Sequence, residues 1–424
     1  MLYLAKRKLV PTLSDTIQLT PSQKHGEEVF HTWWKEKGFK KNKKQILRVG
    51  GPAGTGKSVF IQYLMKKYKL TKQNCLVVSY TGQAVNVLRQ RGIPAKTIHS
   101  TFMHTVETPL LDQDGNPISR GGIPLITMKF VPVERISSAV KLIIIDESSF
   151  LPKDLEKLIK KYKVPILETG DPFQLPPVFG EQCFTMDSID VLFTEIMRQE
   201  IDSDIVDVAT RIREGMQIDP GKYHDEVLFI QPNGNLEDTF FQFRAFLSHS
   251  DCIITSTNKQ RSVLTDLYRK YIMKTDHIYP VKGDRMICRK NNWNMTLGDF
   301  PLTNGTIGTV LYNVGRGAIS TKTKTFTMDF MPDVVSNDYY DNILCDTDFL
   351  RGEFGDKQID RFNPGNKFEY AHAITTHSAQ GSQFPSVCFF DSFNRNTEYA
   401  MRLRYTAVTR AQKYLVYFLP HYWK

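Results

Sequence analysis

The sequence contains no run approaching the ~20 consecutive apolar residues needed to span a bilayer, which argues against a helical membrane protein and makes a soluble chain the expectation. Cysteine is scarce: Cys75, Cys183, Cys252, Cys288, Cys345 and Cys388 are scattered without C-x-x-C spacing. That argues against a zinc site, and because several of them lie in apolar runs, buried reduced thiols are expected. Lys6, Arg7 and Lys8 are not followed by an apolar stretch of secretory length, so a mature cytoplasmic chain is expected. Internal repeats, low-complexity tracts and Ser/Gly-rich linkers are also missing. A solenoid is thereby excluded, and closely packed domains are expected.

What is present suits a large globular chain. At 424 residues, 41% hydrophobic and 24% charged, it is sized for about two to four domains, each with its own core. The net charge of +10 and a pI near 9.1 favour a polyanionic partner, because lysine and arginine contacts to phosphates release condensed counterions. The densest basic stretch, Lys35 to Lys44, reads as a solvated loop.

Gly51, Pro52, Ala53, Gly54, Thr55, Gly56, Lys57 and Ser58 fit G-x-x-x-x-G-K-[ST]. Glycines let the main chain curl with its amides inward, Lys57 offsets charge on the β and γ phosphates of ATP, and the Ser58 hydroxyl is placed to coordinate Mg²⁺. The flanks agree. Ile46 to Val49 reads as an entering strand, and Phe60, Leu64 and Tyr68 recur at helical spacing. Further apolar runs at Cys75 to Tyr80, Leu142 to Ile145 and Pro165 to Glu168 predict a parallel sheet covered on both faces. A second set at Cys252 to Ser256, Ser386 to Phe390 and Leu415 to Leu419 has no Walker lysine, which predicts two similar α/β domains with one ATP site.

Two insertions interrupt these sets. Between Met103 and Ile136, Asp114-Gly115-Asn116-Pro117 is a turn signal that predicts a projecting hairpin. From Lys282 to about Phe368, short alternating stretches punctuated by Gly, Asn and Thr predict a small β domain.

Leu142-Ile143-Ile144-Ile145-Asp146-Glu147 is an apolar strand ending in two carboxylates. Asp146 is placed to hold the Mg²⁺ shell and Glu147 to orient and deprotonate the attacking water. Gly170-Asp171-Pro172-Phe173-Gln174-Leu175-Pro176-Pro177-Val178 then resembles motif III of superfamily 1 helicases. The resemblance implies that Gln174 senses the γ-phosphate. Other motifs follow it along the chain. Leu19-Thr20-Pro21-Ser22-Gln23 resembles the Q motif, which makes Gln23 the adenine candidate, and Thr81-Gly82-Gln83-Ala84 and Thr97-Ile98-His99-Ser100 resemble the DNA-contacting motifs Ia and Ib. Phe102, beside the latter, is a stacking candidate weighed against core packing.

Thr194 to Gln199 resembles motif IV and Tyr405 to Ala411 motif VI, which implies that Arg198 and Arg410 reach the γ-phosphate from the second domain. Thr376-His377-Ser378-Ala379-Gln380-Gly381-Ser382-Gln383 resembles motif V, placing Thr376 and His377 with DNA and Gly381 with the nucleotide. Family members often carry a basic residue where this chain has Ser378 and an acid where it has Gln383.

The resemblance is to subgroup B, the RecD and phage Dda-like helicases, and covers the chain from about Leu19 onward. It implies a P-loop NTPase of α/β class with two tandem RecA-like motor domains. The first takes residues 1–102 and 136–180, with a wedge hairpin (1B) at 103–135; the second takes 181–281 and 369–424, with a small β-barrel (2B) at 282–368. It also implies ATP and Mg²⁺ as cofactors and 5′ to 3′ movement on single-stranded DNA with unwinding of forked duplex. A monomer is expected in phage-type replication or recombination, in the host cytoplasm if phage-encoded, with a single-strand-binding protein or replisome component as a further partner and no membrane. A strand-stimulated translocase subunit without independent unwinding, and an RNA helicase, remain open as alternatives.

Overall fold

The structure, a computed structural model, describes residues 17–41, 43–109, 116–117, 119–120, 123–124, 126–177, 180–197, 203–298, 300–333, 338–350, 365–393 and 397–421. Met1 to Val10, the Asp114-Gly115 turn and Arg198 lie outside those residues.

The first α/β unit is built on a parallel sheet of six strands, in the order Val191–Leu192, Ile46–Gly50, Ile166–Gly170, Leu142–Asp146, Cys75–Ser79 and Ala95–Thr97. Leu142, Ile143, Ile144 and Ile145 are all fully buried. An unbroken aliphatic run is what a strand covered on both faces requires. Phe60 and Leu64 of the helix Lys57–Lys67 close one face with Phe193.

The expected change of domain at residue 181 falls too early. Val191–Leu192 pairs with the P-loop strand, and Phe193 packs edge-on against Phe60 at 5.0 Å. Only two residues of that strand are paired, too short a signal to stand out in the sequence. The chain then stays on the first unit: Met197 N–H donates to Gly54 O at 2.9 Å, and Glu195 accepts from Ser22 N–H at 3.2 Å. The segment leading into Arg198 therefore crosses the P-loop instead of arriving from the second unit.

A charged triad lies at the start of the sheet. Arg48 bonds Glu168 at 2.8 Å and also Glu156, and Glu168 is fully buried. Burial pushes the Glu168 carboxyl up to about 7 against the pull of Arg48. Arg48→Ala is expected to cost about 3–5 kcal/mol, because it leaves a buried carboxylate without its cation. Chemical denaturation should show a larger loss at pH 8 than at pH 6, since protonated Glu168 needs no counter-ion. An equal loss at both would refute the triad as the cause.

The second unit has the order Gly221–Tyr223, Val227–Ile230, Ala411–Phe418, Phe384–Phe390, Cys252–Thr255 and Ala373–Thr375, parallel except for its first strand. The long connection between Cys252–Thr255 and Ala373–Thr375 carries an antiparallel sheet containing Arg285–Cys288, Ile307–Val310, Thr325–Pro332, Tyr340–Asp346 and Phe368–Tyr370. Its ends are drawn together at Asn366, whose N–H donates to Leu344 O at 2.7 Å and whose carbonyl accepts from Asp346 N–H at 2.9 Å. Phe330, Phe368 and Phe326 fill the interior. Phe368–Tyr370 still pairs with Arg285–Cys288, so the chain returns to the second unit at Ala373, later than the expected residue 369.

A hairpin pairs Met103–Pro109 with Ile126–Pro132 in seven-residue register. It leaves the first unit beside Phe102, which is fully buried and stacked on Tyr162 at 5.3 Å. Phe102 is a core residue, which excludes it from stacking on bases. The six cysteines form no disulfide, and five of them are buried. Among the described residues, no helix is long and apolar enough to cross a membrane.

Candidate active site

The P-loop sits where the first sheet meets the second unit. Gly56 precedes the helix in the left-handed region (φ +73°), where a Cβ would come within 2.7 Å of Gln23 Nε2. Lys57 Nζ donates to the carbonyls of Gly51 (2.7 Å) and Pro52 (3.0 Å), which holds the ammonium over the loop. Gln23 is buried beneath it. Its Nε2 donates to Thr55 O at 2.9 Å and its Oε1 accepts from Thr20 N–H at 3.0 Å, so the same residue completes a helix capping box and braces the loop.

Asp146 ends its strand almost fully buried, with Oδ1 accepting from Thr169 Oγ1 at 2.6 Å. The next residue, Glu147, takes a left-handed conformation (φ 57°, ψ 42°) unusual for a side chain of its size. Its Oε2 is buried with no hydrogen-bond partner. Burial first, and then the neighbouring Asp146, push the Glu147 carboxyl up to about 6 from 4.5, against Arg410 and Lys57. A carboxylate poised near neutrality is what a general base needs.

Motif III supplies Asp171 and Gln174. Gln174 Nε2 reaches Asp171 Oδ2 at 3.3 Å, while its Oε1 is buried without a partner. Gln380 Nε2 and Ser382 Oγ, on either side of Gly381, are in the same condition. Each such atom costs about 1–3 kcal/mol, and groups of this kind point to a ligand that satisfies them. The donors Gln380 Nε2 and Ser382 Oγ fit phosphate oxygens, and the acceptor oxygens of Gln174 and Glu147 fit an attacking water.

The second unit closes the site through the helix Glu398–Val408. Tyr405, almost fully buried, accepts from Ala53 N–H at 2.8 Å and donates to Asp171 Oδ2 at 2.6 Å. Thr406 Oγ1 accepts from Leu175 N–H at 3.0 Å. Arg410 is buried, donating to Thr406 O (3.0 Å), Ser382 O (3.2 Å) and Thr409 Oγ1 (3.1 Å), with Glu147 and Asp171 as its anionic neighbours. Sequence reasoning singled out Arg410 in this segment and passed over Tyr405. The signal was a phenol inside an otherwise small or apolar motif, five residues before the arginine.

The strand-contact candidates divide. Gly381 (φ +77°) packs so tightly on motif Ia that a Cβ would lie 2.6 Å from Thr81 Oγ1, which brings motifs V and Ia together. Thr81 and Thr97 cap helices, accepting from Ala84 N–H (3.2 Å) and Ser100 N–H (3.1 Å). Thr376 is fully buried and its hydroxyl donates to Thr255 O at 3.2 Å, so it ties motif V to its sheet and is removed from the strand-contact set. His99 and His377 are half-buried, and burial lowers both below the usual histidine range. His99 lies between Tyr80 (5.8 Å) and the exposed Phe130 (5.7 Å) at the hairpin base. The sequence reading missed that cluster because its rings come from three separate segments.

For Mg²⁺, the residues at hand are the Ser58 hydroxyl and the Asp146 carboxylate. Among the described residues, no three His, Cys, Asp or Glu side chains gather as a cage. Two hard oxygen donors beside a phosphate loop fit an ion held mainly by nucleotide and water.

Two RecA-like α/β units with the P-loop on one, and a buried arginine and phenol of the other meeting it, define a P-loop ATPase whose site lies at the seam of two units. Residues 37–231 match the family model of an AAA domain, and residues 370–417 that of a UvrD-like helicase C-terminal domain. Together the two matches, the second to a helicase domain, mark the chain as an ATP-hydrolysing DNA helicase of superfamily 1. A search of curated proteins finds no match. Solved structures with a similar fold include Bacteroides Pif1 bound to single-stranded DNA, at 16% identity over 95% of this chain and 92% of that one, with a TM-score of 0.53. Another is Pif1 helicase from Candida albicans (17%, 96% and 95%, TM-score 0.50). A third shows Pif1 helicases unwinding forked duplex DNA (16%, 95% and 92%, TM-score 0.52).

Proposed function

We propose that this helicase moves 5′ to 3′ along single-stranded DNA and opens forked duplex, acting as a monomer in phage-type replication or recombination. The observation that carries the reading is the seam. Tyr405 and Arg410 of one unit meet the P-loop, Glu147 and Asp171 of the other, while motif V packs on motif Ia through Gly381. One closure therefore changes the nucleotide site and the strand-facing motifs together, which is the differential affinity a motor needs.

In this reading the first motor comprises the sheet around Ile46–Gly50 with the hairpin Met103–Pro132 as wedge. The second comprises the sheet around Cys252–Thr255 with the antiparallel insertion. Lys57 and the loop amides bind phosphate, Ser58 and Asp146 would hold Mg²⁺, which would supply charge neutralisation, and Glu147 deprotonates the water. Gln174 reads the γ-phosphate, and Arg198 and Arg410 stabilise its developing charge. Gln23 sets the adenine end, and Tyr80, His99 and Phe130 offer a stacking surface where the wedge begins.

A forked duplex with a 5′ single-stranded tail should be unwound with ATP, and one with a 3′ tail left intact. Preference for the 3′ tail would overturn the polarity. ATP hydrolysis stimulated by single strands without unwinding of either fork would favour the translocase reading.

A further inference from the structure

We propose that Arg289, carried on the inserted sheet, and Ser378 of motif V form one seat for a backbone phosphate of the bound strand, an inference that rests on the strand-translocating reading. Position 378 is itself uncharged, and a guanidinium from a distant part of the chain is delivered to it. Arg289 Nη1 donates to Ser378 Oγ at 3.2 Å, and Ser378 Oγ also meets Thr375 Oγ1 at 3.1 Å.

A purely structural ion pair does not account for this arrangement. Glu369 is already served by the buried Arg261, whose Nη1 reaches Oε2 at 2.9 Å. Arg289 adds Nε at 2.9 Å and Nη2 at 2.8 Å to that same oxygen. Arg261 Nη1 and Arg289 Nε already fill the roughly two lone-pair directions of that oxygen, with Nη2 at ion-pair distance, and Arg289 Nη1 is turned away from Glu369 toward Ser378. A phosphate oxygen beside Ser378 would accept from that Nη1 and face the guanidinium in the fork geometry that suits arginine.

The surroundings favour an anion. Arg289 N–H donates to Lys367 O at 2.7 Å, so Lys290 and Lys367 stand on the adjoining backbone, and the Lys290 ammonium adds to burial in holding Lys367 below its usual range against the pull of Asp346. The seat lies in the motif V segment whose Gly381 abuts Thr81 of motif Ia, so it lines up with the other strand-facing candidates. The insertion thus becomes part of the grip of the second motor.

The test is fluorescence-anisotropy binding of a labelled oligothymidine single strand across a salt series, for the whole protein and three variants. Arg289→Ala should weaken binding severalfold and reduce the slope of log K against log salt by about 0.7, the contribution of one single-strand phosphate. Arg289→Lys should keep the wild-type slope, which separates charge from the bidentate hold on Glu369. In the Arg289→Ala, Ser378→Lys double variant the slope should return, because the cation is restored from the other partner. An unchanged slope in Arg289→Ala, a slope lost equally in Arg289→Lys, or no recovery in the double variant would each overturn the shared seat. Failure of the wild-type protein to bind the strand at any salt would instead overturn the translocation reading.

Discussion

Arg410→Ala is expected to retain ATP binding and lose strand-stimulated hydrolysis by about 10³-fold or more, the range for removing an arginine that stabilises phosphoryl-transfer charge. Burial of this guanidinium against Thr406 O and Ser382 O gives it two tasks. It holds motifs V and VI together, and it keeps a fixed positive charge beside Glu147 and Asp171. Truncation leaves acceptors unpaired, at about 1–3 kcal/mol for a buried group, so thermal unfolding must accompany the kinetics. Arg410→Lys separates the tasks by keeping charge without the planar fork. Stimulated turnover within a few-fold of wild type in a folded Arg410→Ala protein would remove the arginine from the mechanism.

Glu147→Gln is expected to lower hydrolysis by about 10²–10⁴-fold with little change in nucleotide affinity, as for loss of a general base. In the wild-type protein, log kcat should fall with unit slope below about pH 6, where the carboxyl takes up its proton. The same shift has a stability consequence of opposite sense. The folded-state value lies above the unfolded one, so the fold favours the protonated acid. That contribution is fully present below about 4.5 and is lost as pH rises through about 6. A rise of this size corresponds to up to about 2 kcal/mol. The glutamine variant, which has no charge to bury, should therefore melt higher than wild type at pH 8 and equally at pH 4. A stability gap independent of pH would show that Glu147 carries no such burden.

Much of this architecture is legible in residue order because parallel strands covered on both faces are written as aliphatic runs. Leu142 to Ile145 and Cys252 to Thr255 fall where those runs stand. The P-loop is legible for a different reason, since phosphate chemistry admits few residue types at its spacing. What escaped was decided by contacts between distant segments. Val191–Leu192 is a strand only because the P-loop strand offers it an edge. Phe102 and Thr376 stand beside strand-facing motifs in sequence and point into cores in space. Tyr405 gains its role from Ala53 and Asp171, more than 230 residues away. A hydroxyl or ring in a motif does not declare which side of the backbone it will occupy.

Gln83 Nε2 donates to Gly305 O at 2.6 Å, and a Cβ on Gly82 would lie 2.2 Å from Thr303 Oγ1, so the insertion also leans on motif Ia of the first unit. Together with the Ala53, Asp171 and Leu175 bonds to Tyr405 and Thr406, a handful of hydrogen bonds fastens the two halves. At roughly 1 kcal/mol net for each, and with Leu175 and Phe173 of the first unit packed into the core of the second, the fastening is of the same order as the ~5.5 kcal/mol that inverts a two-state population from 1:99 to 99:1. The seam is thus a latch whose strength ligand binding can match. A ligand that prefers one arrangement by a few hydrogen bonds' worth of free energy can reset it, and each reset moves the insertion, motif Ia and the phosphate loop as one linked set.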